Sequence, residues 1–314
     1  MKSYNVLVTA GGSVTALNVL RALSNDERFN LYSTDITNDS GSLVYVKKQF
    51  KVPFAFDKDY LDELLKICKR NKIDFLFPCN DRELKPISIN KDKFKKIGCE
   101  ALISDPETID ICLDKLATDK SFIEAKVNTP KLVKSNCVEK FPLMLRKRFS
   151  GLKKKAVFKV EDYKDLEFYT HKIKDEIILN EFVDGTEWTV DVICSPNGKV
   201  LEIVPRQRIS VIDGNSQIGQ INIDNKTVEE VKRIVEYFNI KDICCVQFKK
   251  FNNKNYYFEV NARVGSGLDL TVNAGVNMPL MAIENRIGNP HKPFSKKIKN
   301  KLKMVRYLNC HIIN

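Results

Sequence analysis

The sequence lacks the short motifs by which zinc and redox sites are usually found. It has nine cysteines and three histidines, but no C-x-x-C pair. His171, His291 and His311 lie too far apart to have metal-ligand spacing. Most cysteines stand inside apolar runs, as Cys68 and Cys244 do, which predicts buried thiols. The sequence therefore indicates no metal centre built on cysteine or histidine.

Long apolar runs, internal repeats and low-complexity segments are also missing. No stretch approaches the roughly 18 apolar residues of a membrane span, and the apolar run after Tyr4 is too short for a signal peptide. We therefore expect a soluble, cytoplasmic protein with no membrane partner. The formal net charge is +12, but the basic residues are spread along the chain without an RNP-type motif or basic arm. We expect no nucleic-acid partner either.

The first third of the chain predicts an α/β domain. Its 314 residues and 43% hydrophobic content suffice for two or three compact units. Residues 4–9 predict a strand ending at Gly11-Gly12, and Ser13 stands where the next helix would be capped. Further strands are predicted at 31–35, 73–78 and 101–104, and a helix at 60–70. This alternation favours a Rossmann-like parallel sheet, with a domain covering residues 1–105.

The rest of the chain is richer in strands. Residues 106–125 predict helix, and long apolar runs joined by Gly or Asn turns follow. One clear helix is predicted at 227–238, where Thr227 and Glu230 form a capping box. Antiparallel runs with few helices indicate an α+β domain behind the α/β domain.

A turn near the start of the chain stands where a dinucleotide-binding loop would lie. TAGGSVTA at 9–16 follows a strand, and Asp35 ends the next strand at about the distance of a ribose-binding acid. Ser13 and Ala16 replace two glycines of that fingerprint, and a tight strand-to-helix turn explains the segment equally well. An NAD(P)-dependent oxidoreductase stays open as an alternative function.

The segment PCNDREL at 78–84 also follows a strand of the first sheet. It brings Asp81 and Glu83 to the carboxyl edge, where open α/β sheets usually bind ligands. A helix cap at Asp81 with Glu83 in the first turn accounts for the same residues. Glu83 is kept as a candidate for substrate binding.

Two strands of the second domain carry polar residues on one face. In EFVDGTEWTVDV at 181–192, Glu187 shares a face with two later polar residues, and the edge from Glu181 to Val183 could meet a purine. Arg206 and Arg208 also point one way, and the arginine fork suits a carboxylate or a phosphate. A sheet with one solvated face would have the same pattern.

The segment at 242–267 contains the strongest candidate site. If Asn252–Lys254 form a three-residue hairpin loop, Gln247 falls opposite Glu259, with Asn261 two residues further on the same face. One carboxylate and two amide oxygens suit Mg²⁺ on ATP phosphates better than zinc. Arg263 extends the same face toward a phosphate. A polar strand end facing solvent is the competing explanation.

A basic hairpin at 142–160 could cover phosphates. The loop between its two strands carries Gly151 and six basic residues, which are Arg146, Lys147, Arg148, Lys153, Lys154 and Lys155. A phosphate-covering loop normally uses several glycines so that backbone N–H groups can approach the oxygens. With a single glycine, the segment taken alone favours a solvated basic turn.

Taken together, these segments resemble the ATP-grasp superfamily over nearly the whole chain. The branch they are most similar to is that of carbamoyl-phosphate-synthase-like ligases, including the ligase of pyrrolysine biosynthesis. The segments that carry the resemblance are DK at 114–115, PLMLRK at 142–147, EFVDGTEWTVDV at 181–192, VPRQR at 204–208, VQFK at 246–249, FEVNARVGSG at 258–267 and AGVNMP at 274–279. The pairing of E-x-N-x-R with E-F-x-x-G-x-E makes it specific.

The resemblance implies a division of the chain and a role for each site residue. It implies a pre-ATP-grasp domain at 1–105, a subdomain with the phosphate-covering flap at 106–175 and a subdomain with the Mg²⁺ site at 176–314. The implied ligands of ATP are Lys115, Arg146 and Lys154 at the phosphates, Glu181, Phe182 and Val183 at adenine, and Glu187 at the ribose. Those of Mg²⁺, or Mn²⁺, are Gln247, Glu259 and Asn261, with Arg263 near the transferred phosphate.

Three departures from the family pattern stand out. Arg146-Lys147 replaces a Lys-Pro pair, the flap at 149–156 is poor in glycine, and Ala262 replaces a proline. None of these departures affects Gln247, Glu259 and Asn261, which are called the metal trio below.

The resulting hypothesis is an ATP-dependent carboxylate–amine ligase that works through an acyl phosphate on a small-molecule acid, such as an amino acid or sugar acid. Lys115, Arg146 and Arg263 would stabilise charge during phosphoryl transfer, and Arg206, Arg208 and Glu83 would bind substrate. A nucleotide-binding relative with weak catalysis is the first alternative. A homodimer is left open.

Overall fold

The first domain is built on a parallel sheet. The computed structural model of the chain describes residues 2–149 and 157–312. Five strands lie in the order β3-β2-β1-β4-β5. They are β1 (Tyr4–Val8), β2 (Phe29–Asp35), β3 (Lys48–Lys51), β4 (Phe75–Phe77) and β5 (Glu100–Ala101), and the helices of this domain are α1 (Val14–Leu23), α2 (Tyr60–Arg70), α3 (Asp81–Ile89) and α4 (Lys91–Lys96). All pairs in the sheet are parallel, so the predicted Rossmann-like fold is confirmed.

The first helix begins where the sequence predicts. Ser13 caps α1, and its side chain accepts a hydrogen bond from the Ala16 N–H. The short edge strand β3 was not predicted, because its sequence KQFK has too few apolar residues to indicate a strand.

A second sheet follows two helices. The helices are α5 (Pro106–Leu113) and α6 (Lys115–Glu124), the strands are β6 (Leu132–Val133), β7 (Leu143–Lys147), β8 (Val157–Val160) and β9 (Ile177–Glu181), and α7 (Tyr163–Lys172) lies between the last two. The order is β6-β9-β7-β8, and all pairs are antiparallel. The expected division at residue 175 cuts this sheet, because β9 pairs with β7; the sheet ends at Glu181.

The third sheet is the largest. Its strands are β10 (Thr186–Cys194), β11 (Val200–Ile212), β12 (Asn215–Ile221), β13 (Asp242–Phe251), β14 (Lys254–Asn261) and β15 (Lys303–Val305), and its helices are α8 (Asn225–Tyr237), α9 (Leu268–Asn273) and α10 (Met278–Glu284). The order is β14-β13-β10-β11-β12-β15. This antiparallel sheet with flanking helices confirms the predicted α+β domain.

Two local predictions in this domain are wrong. The hairpin between β13 and β14 turns on Asn252 and Asn253 alone, which both have positive φ as a two-residue type I′ turn requires. The capping box at Thr227 is also wrong. Asp224 caps α8 and accepts from both the Thr227 N–H and its hydroxyl, so the helix begins earlier than predicted.

The parallel sheet and the six-stranded sheet share their hydrophobic cores. One buried cluster joins Leu7 and Leu76 of the parallel sheet to Val190 and Val246 of the large sheet, and a second cluster joins α1 to α10. The four-stranded sheet has a smaller core of its own. Across residues 2–149 and 157–312, no helix has the length and apolar character needed to span a bilayer.

Candidate active site

One face of the six-stranded sheet is polar because side chains alternate along its strands. The opposite face carries Trp188, Val190 and Phe248, which are buried in the core with α8. The polar face carries Glu187, Thr189 and Asp191 of β10, Arg206 and Arg208 of β11, Gln247 of β13, and Glu259 and Asn261 of β14. Cross-strand pairing therefore brings together residues that are far apart in sequence.

A cavity of about 490 Å³ lies over this face, against α6 and the four-stranded sheet. Its apolar lining residues are Pro130, Met144, Val157, Val183, Val211 and Phe258. Its charged and amide lining residues are Asp81, Lys115, Arg146, Asn180, Glu181, Glu187, Arg208, Gln247, Lys249, Glu259, Asn261 and Arg263. The cavity has the size and the mixed lining of a small-molecule site.

The predicted metal trio is adjacent in space. Gln247 lies directly opposite Glu259, and the Asn261 amide donates to Glu259 Oε2 at 3.2 Å. The predicted register is right although the predicted loop is one residue too long. A bulge after Gln247 places Phe258 as an extra residue on β14 and restores the alignment.

The donor set of the trio suits Mg²⁺ only together with other oxygens. Glu259 supplies its one carboxylate, and Lys115 Nζ lies 3.8 Å from Glu259 Oε1. Within the part of the chain that the structure describes, no group of three or more His, Cys, Asp or Glu could hold a metal. Mg²⁺ is commonly held by one or two carboxylates plus substrate phosphates, so the residues fit a metal that arrives with a nucleotide.

Arg146 is held by a buried polar network. Its Nη2 donates to Asp119 Oδ2 at 2.6 Å and to Asn180 Oδ1 at 2.8 Å, and its Nη1 donates to the Phe258 carbonyl at 2.9 Å. Burial raises the pKa of Asp119, and the Arg146 guanidinium opposes that rise. The network links the four-stranded sheet to β14, beside the Glu259 carboxylate.

Asp119 and Asn180 were not singled out from the sequence. Asn180 interrupts the apolar run of β9, and Asp119 lies four residues after Lys115 on the same helix. Asn180 could have been predicted as a buried hydrogen-bonding residue, because a polar residue inside an apolar strand needs a partner. Asp119 could have been predicted to lie on the same helix face as Lys115.

Arg208 connects two predicted ligand-binding side chains. Its Nη1 donates to Glu187 Oε1 at 2.5 Å and to Gln247 Oε1 at 3.2 Å, while Nη2 donates to the Gly214 carbonyl at 2.6 Å. Burial lowers the pKa of Arg208, and the Glu187 carboxylate opposes this change. The Arg208 guanidinium thus connects Glu187, the predicted ribose ligand, to Gln247 of the metal trio.

The predicted adenine segment lies where β9 ends. Glu181 and Val183 line the cavity, whereas Phe182 is not among its lining residues. The Glu181 N–H donates to the Lys131 carbonyl at 2.9 Å, and the Lys131 N–H donates to Glu181 Oε1 at 3.2 Å. Lys159 Nζ lies 4.7 Å from the centre of the Phe182 ring. Lys154 and the flap residues 150–156 lie outside the described residues.

Two predicted substrate residues do not reach the cavity. Arg206 is 1% exposed, and its guanidinium donates to both oxygens of Asp191 at 2.8 and 3.1 Å. Glu83 is 6% exposed and accepts a short hydrogen bond from the Thr9 hydroxyl. Burial raises the pKa of Glu83 to about 7. These contacts give both residues a structural role in place of the expected substrate contact.

Arg263 is paired with the first domain. It donates to both oxygens of Asp81 at 2.8 and 2.9 Å, and both residues line the cavity. The predicted cap at Asp81 is wrong, since Asn80 caps α3 and leaves the Asp81 carboxylate to Arg263.

The glycine-rich turn after β1 is filled by side chains. A Cβ on Gly11 would lie 2.7 Å from Ser42 Oγ, and one on Gly12 would lie 3.3 Å from Asp35 Oδ2. The Gly12 N–H donates to Asp35 Oδ2 at 2.7 Å. The glycines serve close packing of this turn, and Asp35 binds the turn itself, which removes the support for a dinucleotide site.

Comparison with known families agrees with this architecture. Residues 6–102 match the family described as PylC-like, N-terminal domain, and residues 174–309 match the family described as ATP-grasp in the biosynthetic pathway with Ter operon. The chain has a PylC-like N-terminal domain and an ATP-grasp domain. The suspected resemblance is thereby confirmed.

Individual relatives share the fold at low sequence identity. Over 215 residues, or 62% of this chain, the sequence is 23% identical to the carbamoyl phosphate synthase large chain, C-terminal section, of Aquifex aeolicus (strain VF5). The match spans 40% of that relative.

Two solved structures superpose on nearly the whole ATP-grasp chain. A biotin carboxylase–β,γ-ATP complex from Campylobacter jejuni has a TM-score of 0.74 at 16% identity and covers 93% of this chain and 73% of its own. An L-amino acid ligase from Bacillus licheniformis has a TM-score of 0.69 at 17% identity. The match covers 92% of this chain and 75% of the ligase chain. At these identities the likeness shows the fold.

Proposed function

We propose that this protein is an ATP-dependent ligase that joins a small-molecule carboxylic acid to an amine through an acyl phosphate. The observation that carries the proposal is that Lys115, Arg146, Glu187, Glu259 and Arg263 line one cavity. The ATP-grasp domain and the likeness to an L-amino acid ligase support the same reaction class.

The nucleotide would lie with its base at the apolar part of the cavity. Met144, Val157 and Val183 offer apolar surface there, and Glu181 lies beside them. Glu187 can accept hydrogen bonds from ribose hydroxyls once Arg208 releases it or shares it.

The phosphates would lie over the metal trio. Gln247, Glu259 and Asn261 would hold Mg²⁺, or Mn²⁺ in its place, together with phosphate oxygens. When bound, the metal would neutralise phosphate charge and polarise the phosphoryl group. Lys115, held near Glu259, and Arg146, fixed by Asp119 and Asn180, would add positive charge at defined positions.

The acid would be oriented by an arginine that reaches the cavity. Arg208 lines the cavity and Arg206 does not, so Arg208 remains the candidate for the substrate carboxylate. The exposed Val211 and Gly214 line the same cavity.

A coupled assay of ADP release tests the proposal. Purified protein with Mg-ATP is screened against amino acids and sugar acids, each with and without an amine. We expect one acid to stimulate ADP release, and the double variant Glu259→Gln with Asn261→Ala to abolish it while the circular dichroism spectrum stays unchanged. The matched control is Glu229→Gln with Asn225→Ala, two exposed positions on α8.

The outcomes separate the alternatives. Mg-ATP binding without turnover on any acid would favour a nucleotide-binding relative with weak catalysis. Turnover that survives the Glu259/Asn261 double variant would contradict the proposed metal site.

A further inference from the structure

A bidentate ion pair crosses from the first domain into the cavity. Asp81 opens α3 of the parallel-sheet domain, and Arg263 follows β14 of the ATP-grasp domain, 182 residues later. Arg263 Nε lies 2.8 Å from Asp81 Oδ1, and Nη2 lies 2.9 Å from Oδ2. Paired N–H donors on one carboxylate fix the plane of the guanidinium as well as its position.

The first domain places Asp81 at the start of a helix. Asn80 caps α3 by accepting from the Arg82 N–H, so Asp81 is the first residue of the helix. The amino end of a helix favours negative charge in its first turn. Asp81 therefore lies at the edge of the parallel sheet, in a helix turn that favours its negative charge.

From Arg263 the contacts continue to the metal trio. Its Nη2 also donates to Asn261 Oδ1 at 3.4 Å, and its Nη1 donates to the Val264 carbonyl at 3.0 Å. Asn261 in turn donates to Glu259 Oε2 at 3.2 Å. A continuous hydrogen-bonded path thus runs from Asp81 through Arg263 and Asn261 to Glu259.

The pair is not needed to hold the domains together. The two domains share two buried apolar clusters, and a second interdomain ion pair joins Arg21 of α1 to Asp269 of α9 away from the cavity. Asp81 and Arg263 differ from that pair because both line the cavity.

We propose that Asp81 is a positioning residue, by which the first domain orients Arg263 and, through Asn261, the candidate metal ligand Glu259. The inference rests on the proposed ATP-grasp function of the cavity. Asp81 acts on the phosphate end of the site without itself binding nucleotide. Both domains thus contribute residues to one cavity.

Substitution of Asp81 should change turnover more than ATP affinity. We expect Asp81→Asn to lower kcat on the order of 10-fold to 100-fold, as loss of a residue that orients a ligand usually does. The Mg²⁺ concentration for half-maximal activity should rise, while KM for ATP changes little. Asp81→Glu should recover part of the loss, because it restores a carboxylate for Arg263.

A double-mutant cycle shows whether Asp81 acts through Arg263. In the Arg263→Gln background, Asp81→Asn should cause no further loss of kcat. The matched control is Asp269→Asn, which breaks the interdomain pair with Arg21 and should leave kcat and Mg²⁺ dependence unchanged. Multiplicative losses in the double variant, or an unaltered kcat in Asp81→Asn, would overturn the inference.

A readout without turnover separates this inference from the proposed function. Thermal unfolding of the nucleotide-free protein should show that the double variant loses no more Tm than the more affected single variant. Additive Tm losses would overturn the coupling even if the wild type proves active. If the Tm cycle is non-additive and the wild type neither binds nor hydrolyses Mg-ATP, the proposed function fails and Asp81 loses its catalytic role with it.

Discussion

Replacing Glu83 by glutamine should remove a pH-dependent loss of stability. Glu83 lies under the carboxyl edge of the parallel sheet, 6% exposed, and accepts the Thr9 hydroxyl hydrogen. Burial disfavours its charged form and raises its pKa from 4.5 to about 7, although the hydrogen bond from the Thr9 hydroxyl opposes the rise. Glutamine has nearly the same shape and can still accept the Thr9 hydrogen bond, but it never ionises.

The sign of the effect follows from proton binding. Between pH 4.5 and about 7 the folded chain keeps the Glu83 proton and the unfolded chain loses it. Stability from this group is therefore fully present below pH 4.5 and is lost as the pH rises through 7. A pKa raised to this extent corresponds to about 3 kcal/mol in the free energy of unfolding.

Urea denaturation at about pH 5 and about pH 8 measures the effect. The free energy of unfolding of Glu83→Gln minus that of wild type should increase by about 2.5 kcal/mol between the two pH values, because part of the effect is already present at about pH 5. Glu229→Gln, at an exposed position of α8, is the control and should show no such increase. If the difference in the free energy of unfolding between Glu83→Gln and wild type is the same at both pH values, the raised pKa of the buried Glu83 carboxyl is refuted.

Other substitutions test the buried polar contacts. Asp191→Ala should lower the free energy of unfolding by about 3–5 kcal/mol in urea, because it leaves the buried Arg206 charge unpaired; a loss under 1 kcal/mol would contradict this. Gly267→Ala should lower Tm, because its Cβ would lie 2.3 Å from Arg206 Nη1. The control Gly41→Ala has ordinary contacts and should leave Tm unchanged. Equal Tm values for the two variants would contradict the close packing of Gly267 on Arg206. Arg146→Gln should weaken Mg-ATP binding by on the order of tenfold in calorimetry, because it removes a positive charge that lines the cavity; unchanged affinity would remove Arg146 from the site.

The adjacency of Gln247, Glu259 and Asn261 was predictable because strand alternation fixes which side chains share a face. A one-residue slip would turn Glu259 away from Gln247. The loop prediction was one residue too long, yet the register held because the bulge at Phe258 supplied the missing residue. A turn length and a bulge are separate features, and here their effects on the alignment cancelled.

The difference between Arg206 and Arg208 was not predictable from their pattern. Both lie on the same face of β11, and only contacts with distant residues decide which reaches the cavity. Asp191 pairs with Arg206, and Gly267 packs closely on its guanidinium. Such contacts depend on the tertiary fold, so sequence spacing gives no signal for them.

The partner of Asp81 was not predictable from the sequence either. Its place after a strand of the parallel sheet indicated either a ligand-binding edge or a helix cap. The structure gives the cap to Asn80 and pairs Asp81 with Arg263 of the other domain. Pairing between domains cannot be inferred from either segment alone.

Calorimetric titration of ATP into the wild-type protein, with Mg²⁺ and with a chelator, tests the central claim most directly. The account predicts saturable binding that weakens strongly when Mg²⁺ is removed. It also predicts that Glu259→Gln with Asn261→Ala abolishes this dependence on Mg²⁺. ATP binding that is absent, or that is the same with and without Mg²⁺, would contradict the assignment of this cavity as a Mg-ATP site.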